Sequence, residues 1–168
     1  CRESKGRSCR FYSASTTRVW SIRLANRNRI VVALDHPFAK VDTRALREFA
    51  KRVLSGEGVN GTVNIVLSDD DRLRELNRTF RGVDRTTNVL AFPLSDDLPG
   101  ENLLGDVYIS LERAAREAKR FDESFERRLT RLVAHGVLHL AGYDHRRPAQ
   151  VELMRRTESR YLEECWTP

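Results

Sequence analysis

The chain has 168 residues, enough for one unit that buries most of its apolar surface without disulfide or metal staples. Its 40% apolar and 32% charged residues match a soluble globular protein, and no apolar run nears the ~20 residues that cross a bilayer. The formal charge of +6 is uneven: residues 1–29 hold eight Lys/Arg and one acid, and the remainder is nearly neutral. A basic field over the whole surface is thereby excluded, so affinity for nucleic acid has to come from local patches.

Residues 1–28 are rich in Arg and Ser, poor in acids and without hydrophobic periodicity. This extension reads as lying outside the fold, either as an organelle transit peptide or as a disordered or wrongly included tail. One domain is expected over residues 29–165. Within it, Ile30-Val31-Val32-Ala33-Leu34 reads as a strand ended by Asp35-His36-Pro37, with His36 a loop residue. Asp42 caps a helix to about Leu54, with Leu46, Phe49, Ala50 and Val53 on its buried face. Gly56, Gly58 and Gly61 break the chain before a second strand, Val63 to Leu67, after which Ser68 is expected to cap a helix bearing Leu73, Leu76 and Asn77. Asn88 to Phe92 is a short strand stopped by Pro93, and Asp96–Glu101 is a polar loop. Leu103 to Ser110 reads as the fourth strand. Helices follow over about 111–120 and 124–141, and Pro148 starts a last one carrying Val151, Leu153, Met154 and Leu162. The expected class is α/β (α+β), a small mixed sheet of four strands packed with about five helices.

Cys1, Cys9 and Cys165 are odd in number, sit near the ends and lack CxxC spacing, which points to a reducing compartment. The expected location is the cytoplasm, or an organelle matrix if residues 1–28 are a transit peptide.

Three of the four histidines fall in the run His135-Gly136-Val137-Leu138-His139-Leu140-Ala141-Gly142-Tyr143-Asp144-His145. Residues four apart on a helix lie one turn apart on the same side, so His135 and His139 can reach one cation. Gly142 is the residue type best able to end the helix and reverse the chain, returning His145 to the same point. Three imidazoles with one vacant position describe a catalytic zinc site. The alternative is a pair of helix-face histidines with ordinary hydrogen bonds. Against it, Leu129, Val133, Gly136, Val137 and Leu140 share the apolar face and the histidines sit well round from its centre. The spacing follows the zincin pattern H-E-x-x-H-x-x-G-x-x-H, but Gly136 replaces the glutamate base, which disfavours peptide hydrolysis.

Together with this run, the block Asn77…Phe80-Arg81-Gly82-Val83-Asp84…Thr87-Asn88-Val89-Leu90-Ala91-Phe92-Pro93 and the element Leu104-Gly105-Asp106 resemble the YbeY family of endoribonucleases, over roughly residues 29–164. Asn88 and Ala91 stand where that family often has Asp and Ser. The resemblance implies one metal ion per chain, usually zinc, held by His135, His139 and His145, and an arginine, Arg81, needed for RNA cleavage. It implies maturation of the 3′ end of small-subunit, 16S-type ribosomal RNA together with ribosome quality control. The partners it implies are the small ribosomal subunit and a ribosome-assembly GTPase.

A tris-imidazole zinc brings the pKa of its water to about 7, so Gly136 is tolerable, and Arg81 can grip a phosphate through two parallel hydrogen bonds. Imidazole also suits nickel, copper and iron, which leaves the native metal open. Attack by activated water and attack by the 2′-hydroxyl of the RNA both remain open. Asp106 and Asp144 are candidates to orient ligand imidazoles, with hydrogen bonding at a strand or turn as the other job for each. Arg78, Arg85, Arg128 and Arg131 are candidates to track an RNA backbone, although helix arginines are usually a solvated face. Few exposed aromatics stand out for base stacking. Two other readings stand beside the nuclease: a metal-stabilised ribosome assembly factor with little catalysis, and a metallohydrolase acting on another substrate.

Overall fold

The structure is a computed structural model, and it describes residues 28–35, 41–94 and 102–166. The loop residue His36, the Asp96–Glu101 loop, residues 1–27 and with them Cys1 and Cys9 lie outside the described residues. The elements run β1 (Arg29–Leu34), α1 (Thr43–Gly56), β2 (Thr62–Ser68), α2 (Asp70–Arg81), β3 (Val89–Pro93), β4 (Leu103–Ser110), α3 (Leu111–Arg120), α4 (Phe125–Leu140) and α5 (Pro148–Trp166). The four strands form one mixed sheet in the order β1-β2-β4-β3, with β1, β2 and β4 parallel and β3 antiparallel at the edge. This is the expected α/β architecture of four strands and five helices.

Side-chain alternation along the strands separates two cores. Val63, Ile65 and Leu67 of β2 and Val107 and Ile109 of β4 face the larger one, with α1, α4 and part of α5. Leu90 of β3 turns the other way, meeting Leu73 and Leu76 of α2, with Phe92 and Tyr108 packed alongside. The helix carrying the histidines is therefore held against the sheet by its apolar side, while α2 covers the opposite face.

Several boundaries differ from the sequence reading for local reasons. Ser68 is not the cap of α2: it is the buried last residue of β2, paired with Ser110, and Asp69 caps instead, its Oδ1 accepting from the Arg72 amide at 2.8 Å. β3 begins at Val89 and includes Pro93, which an edge strand tolerates because one side of it needs no ladder donor. In α5 the buried positions include Met154, Thr157, Glu158, Tyr161 and Leu162, whereas Val151 and Leu153 are exposed.

Gly136 has a packing role that spacing alone does not reveal. It is buried where α4 crosses β4, and a Cβ there would stand 2.3 Å from Val107 Cγ1. The position where a zincin carries its glutamate thus points into the core. Gly136→Ala is expected to lose about 1–3 kcal/mol through overpacking, despite the better helix propensity of alanine. Urea unfolding checks this, and a variant as stable as wild type would mean that β4 yields to the extra methyl group.

Candidate metal centre

The last two turns of α4 present His135 and His139 on the side away from the sheet. The helix stops at Ala141, and Gly142 follows at φ +96°, a left-handed conformation that glycine adopts without a Cβ penalty. The turn returns His145 to the other two, its backbone amide donating to Asp144 Oδ1 at 2.7 Å. Nε2 of His135 and Nε2 of His139 lie 3.1 Å apart, and each histidine of the three offers a ligand nitrogen within 4.8 Å of the others. Ring centroids are separated by 4.7, 5.6 and 4.7 Å. Nitrogens around a tetrahedral zinc are spaced by roughly 3.3 Å, so small side-chain rotations close this set onto one ion.

The surroundings fix which nitrogens are free to ligate. Nδ1 of His135 donates to Glu158 Oε1 at 2.7 Å, and Nδ1 of His139 donates to the Tyr143 carbonyl at 2.9 Å. Both bonds leave the Nε2 lone pairs directed at the shared point, the orienting arrangement common to metal-bound imidazoles. Burial, reinforced by the neighbouring imidazoles of His135 and His145, pushes the pKa of His139 down to about 4. It is therefore neutral at physiological pH, as a ligand must be. The donor set fits a divalent transition-metal ion.

The histidines open into a cleft of about 640 Å³ that Arg81, Thr87, Asn88, Tyr143, Asp144 and Arg146 also line. Arg81 is the last residue of α2, where Gly82 ends the helix in a left-handed conformation. Its guanidinium is exposed and has no carboxylate partner among the described residues. The cleft thus joins a cation site from α4 to a free planar cation from α2.

A sequence model of the family described as Endoribonuclease YbeY matches residues 29–165. The chain belongs to that family. A YbeY endoribonuclease of Aquifex aeolicus is 36% identical over 137 residues, covering 81% of this chain and 90% of the relative. One of Salinibacter ruber is 41% identical over 135 residues, covering 76% and 86%. The solution structure of a Thermotoga maritima protein matches with a TM-score of 0.57 at 32% identity, covering 82% of this chain and 89% of that one. Membership of the YbeY family makes this chain kin to nucleases, and three of its histidines are positioned to hold a metal ion.

The other candidates distribute unevenly around this YbeY cleft. Asp144 lines it, but its carboxylate holds the His145 amide and faces Arg146 at 3.2 Å, with no bond to an imidazole. Asp106 does not reach the site. It alternates with Val107, so it points to the α2 side of the sheet and accepts from Asn64 at 2.8 Å. Arg128 and Arg131 are not among the cleft residues: Arg128 lies against Glu117 and Glu123 and stacks 4.8 Å from the Phe121 ring, and Arg131 faces Glu123 at 3.8 Å. Arg78 lines a separate surface hollow with Asp84, and Arg85 lines a pocket adjoining the cleft. Phe80 is an exposed aromatic that sequence patterning did not single out, edge-on to Phe92 at 5.1 Å on the α2 side.

Two carboxylates that sequence reasoning missed support the histidine turn. Glu158 is only 8% exposed and reaches His135 from α5. Removing its charge weakens the basicity and orientation of that ligand, so Glu158→Gln is expected to lower metal affinity about 10- to 100-fold. Competition against a chelating dye measures this, and unchanged affinity would remove Glu158 from the site. Glu57, at the end of α1, accepts from the hydroxyls of Tyr143 at 2.6 Å and Tyr161 at 2.5 Å and from Arg160 at 2.6 Å. Burial alone would raise its pKa, but the two hydroxyls and Arg160 outweigh burial and hold the carboxyl below its ordinary value. A depressed carboxylate stabilises the fold above its unfolded-state pKa and loses that contribution as pH falls through the folded value. Glu57→Gln is therefore expected to cost about 1–3 kcal/mol at neutral pH, with the gap to wild type closing under acid. Urea unfolding at pH 7 and pH 3 tests the sign, and a pH-independent gap would contradict it.

Proposed function

We propose that this chain is a metal-dependent endoribonuclease that prefers single-stranded RNA and matures the 3′ end of 16S-type ribosomal RNA, with a part in ribosome quality control. One zinc ion per chain, or another divalent transition metal, is its cofactor. The small ribosomal subunit and a ribosome-assembly GTPase are its partners. The observation that carries this reading is the joining of three imidazoles and an uncommitted arginine in one cleft.

A phosphodiester breaks when a nucleophile reaches phosphorus while the charge growing on its non-bridging oxygens is neutralised. A divalent ion held by His135, His139 and His145 would supply Lewis acidity there. Arg81 grips two phosphate oxygens through its planar fork and counters their charge. Glu158 and the Tyr143 carbonyl keep His135 and His139 in the tautomer that ligates. Gly136, turned into the core, offers no carboxylate base, which supports a phosphodiester substrate over a peptide. Selection of the cleavage position falls to the ribosomal context.

The test is elemental analysis of the purified chain, paired with cleavage of a precursor ribosomal RNA before and after chelation. One equivalent of metal and cleavage lost on chelation, then restored by zinc, are expected. Cleavage indifferent to chelator would sink the metal-dependent reading. Normal ribosome maturation by variants lacking nuclease activity would leave the assembly-factor reading as the physiological one.

A further inference from the structure

Beside the histidine cleft lies a second pocket of about 390 Å³, within the range of ligand-binding cavities, and the two share Arg81, Thr87 and Asn88 in their walls. Its other walls include Arg85 and Arg113. Three arginines thus line a single hollow. The one acidic residue in the walls, Glu117, is already engaged: Arg128 Nε donates to it at 2.9 Å and the Asn88 amide at 3.2 Å. Arg72, Arg74, Arg116 and Arg160 are matched with Glu75, Asp84, Asp70 and Glu57, whereas the arginines of this pocket face no carboxylate partner among the described residues.

Arg113 adds a second, independent mark. Its Nε is buried and is the one such side-chain nitrogen or oxygen among the described residues without a hydrogen-bond partner. A buried donor left unmatched costs about 1–3 kcal/mol, and an anion held by the rest of the same guanidinium in the pocket would offset that cost. The group that matches several planar N–H forks is an oxyanion. No aromatic side chain among the described residues lines the pocket, which does not suit it to base stacking.

We infer that this pocket is a second phosphate subsite, formed by Arg85 and Arg113 with the Arg81 wall shared, which holds an internal backbone phosphate of the RNA strand next to the one cut at the histidines. This rests on the nuclease reading for the identity of the strand. A contact to a neighbouring phosphate fixes the register of the substrate on the metal centre and carries no sequence information. It also accounts for a cleft that takes single strands although the body of the chain carries little net charge.

The test is binding, kept apart from cleavage. The full chain with its metal is titrated against an uncleavable 2′-O-methyl RNA octamer without terminal phosphates, by fluorescence anisotropy at several salt concentrations. Arg85→Gln and Arg113→Gln are each expected to weaken binding about fivefold, equally for A-rich and U-rich octamers, and to flatten the slope of log K against log salt by about 0.7. Arg44→Gln, which removes the same charge from the exposed side of α1, is the control for general electrostatics. Losses no larger than that control would overturn the subsite. A loss seen only with a 5′-phosphorylated octamer would also overturn it, since the pocket would then read a strand end. Should Arg113→Gln misfold, the exposed Arg85 carries the test. Wild type that binds with these arginine effects but cleaves nothing keeps the subsite and removes the nuclease reading. Wild type that cleaves while both variants bind normally does the reverse.

Discussion

Replacing His139 with alanine is expected to give a folded chain that holds no metal ion and cleaves no RNA above background. His139 is the central ligand: its Nε2 lies 3.1 Å from that of His135, and its ring is 4.7 Å from the ring of His145. Two imidazoles on a partly exposed surface do not make a zinc site of useful affinity, because structural and catalytic sites alike use at least three protein ligands. The fold should survive, since the apolar side of α4 is anchored by Leu129, Val133 and Val137, none of which the substitution touches. What disappears is the stabilisation that ligand binding adds to the native state, about 4 kcal/mol at a metal concentration 1,000 times Kd. Wild type should accordingly melt several degrees lower in chelator, while His139→Ala melts at that lower temperature with or without it. Full metal content in the variant, or a wild-type melt indifferent to chelator, would contradict a site built on this triad.

How much of this could be read in the sequence depended on how local each interaction is. The triad spans eleven residues of one helix and one turn, so spacing, helix geometry and a glycine sufficed to find it. Glu158 was beyond reach because it comes from another helix 23 residues later, and nothing in that sequence distinguishes it from the other acids of α5. Of the two jobs open to Asp106, strand hydrogen bonding rather than orienting an imidazole is the one that alternation alone could have chosen. Its neighbour Val107 packs beneath Gly136, so the aspartate has to face the other side of the sheet. Gly136 itself read as a missing base, whereas the contact with Val107 gives the reason no larger side chain stands there. The basic candidates divided on pairing: whether an arginine meets a carboxylate from another element is a tertiary fact. Arg128 does, and among the described residues Arg81 and Arg85 do not.

Arg81 brings the second large effect, because a side chain that meets the substrate and supports neither core should alter rate without altering structure. It is exposed at the end of α2, pairs with no carboxylate among the described residues and contributes nothing to either core. Arg81→Ala should therefore leave the melt and the metal content at wild-type values. If its fork neutralises charge that develops on the phosphate oxygens, its removal should lower kcat about 10²- to 10³-fold, as deleting one oxyanion donor does elsewhere. Arg81→Lys separates charge from geometry. A point charge on a flexible stem restores part of the attraction but not the two parallel bonds, so this variant should recover affinity for RNA more fully than rate. Single-turnover cleavage of a precursor ribosomal RNA, alongside melts and metal analysis on both variants, measures these quantities. Wild-type turnover by Arg81→Ala would dismiss it as a catalytic group. A fall confined to KM would reduce it to a binding contact like its neighbour Arg85, made equally in the ground state and the transition state.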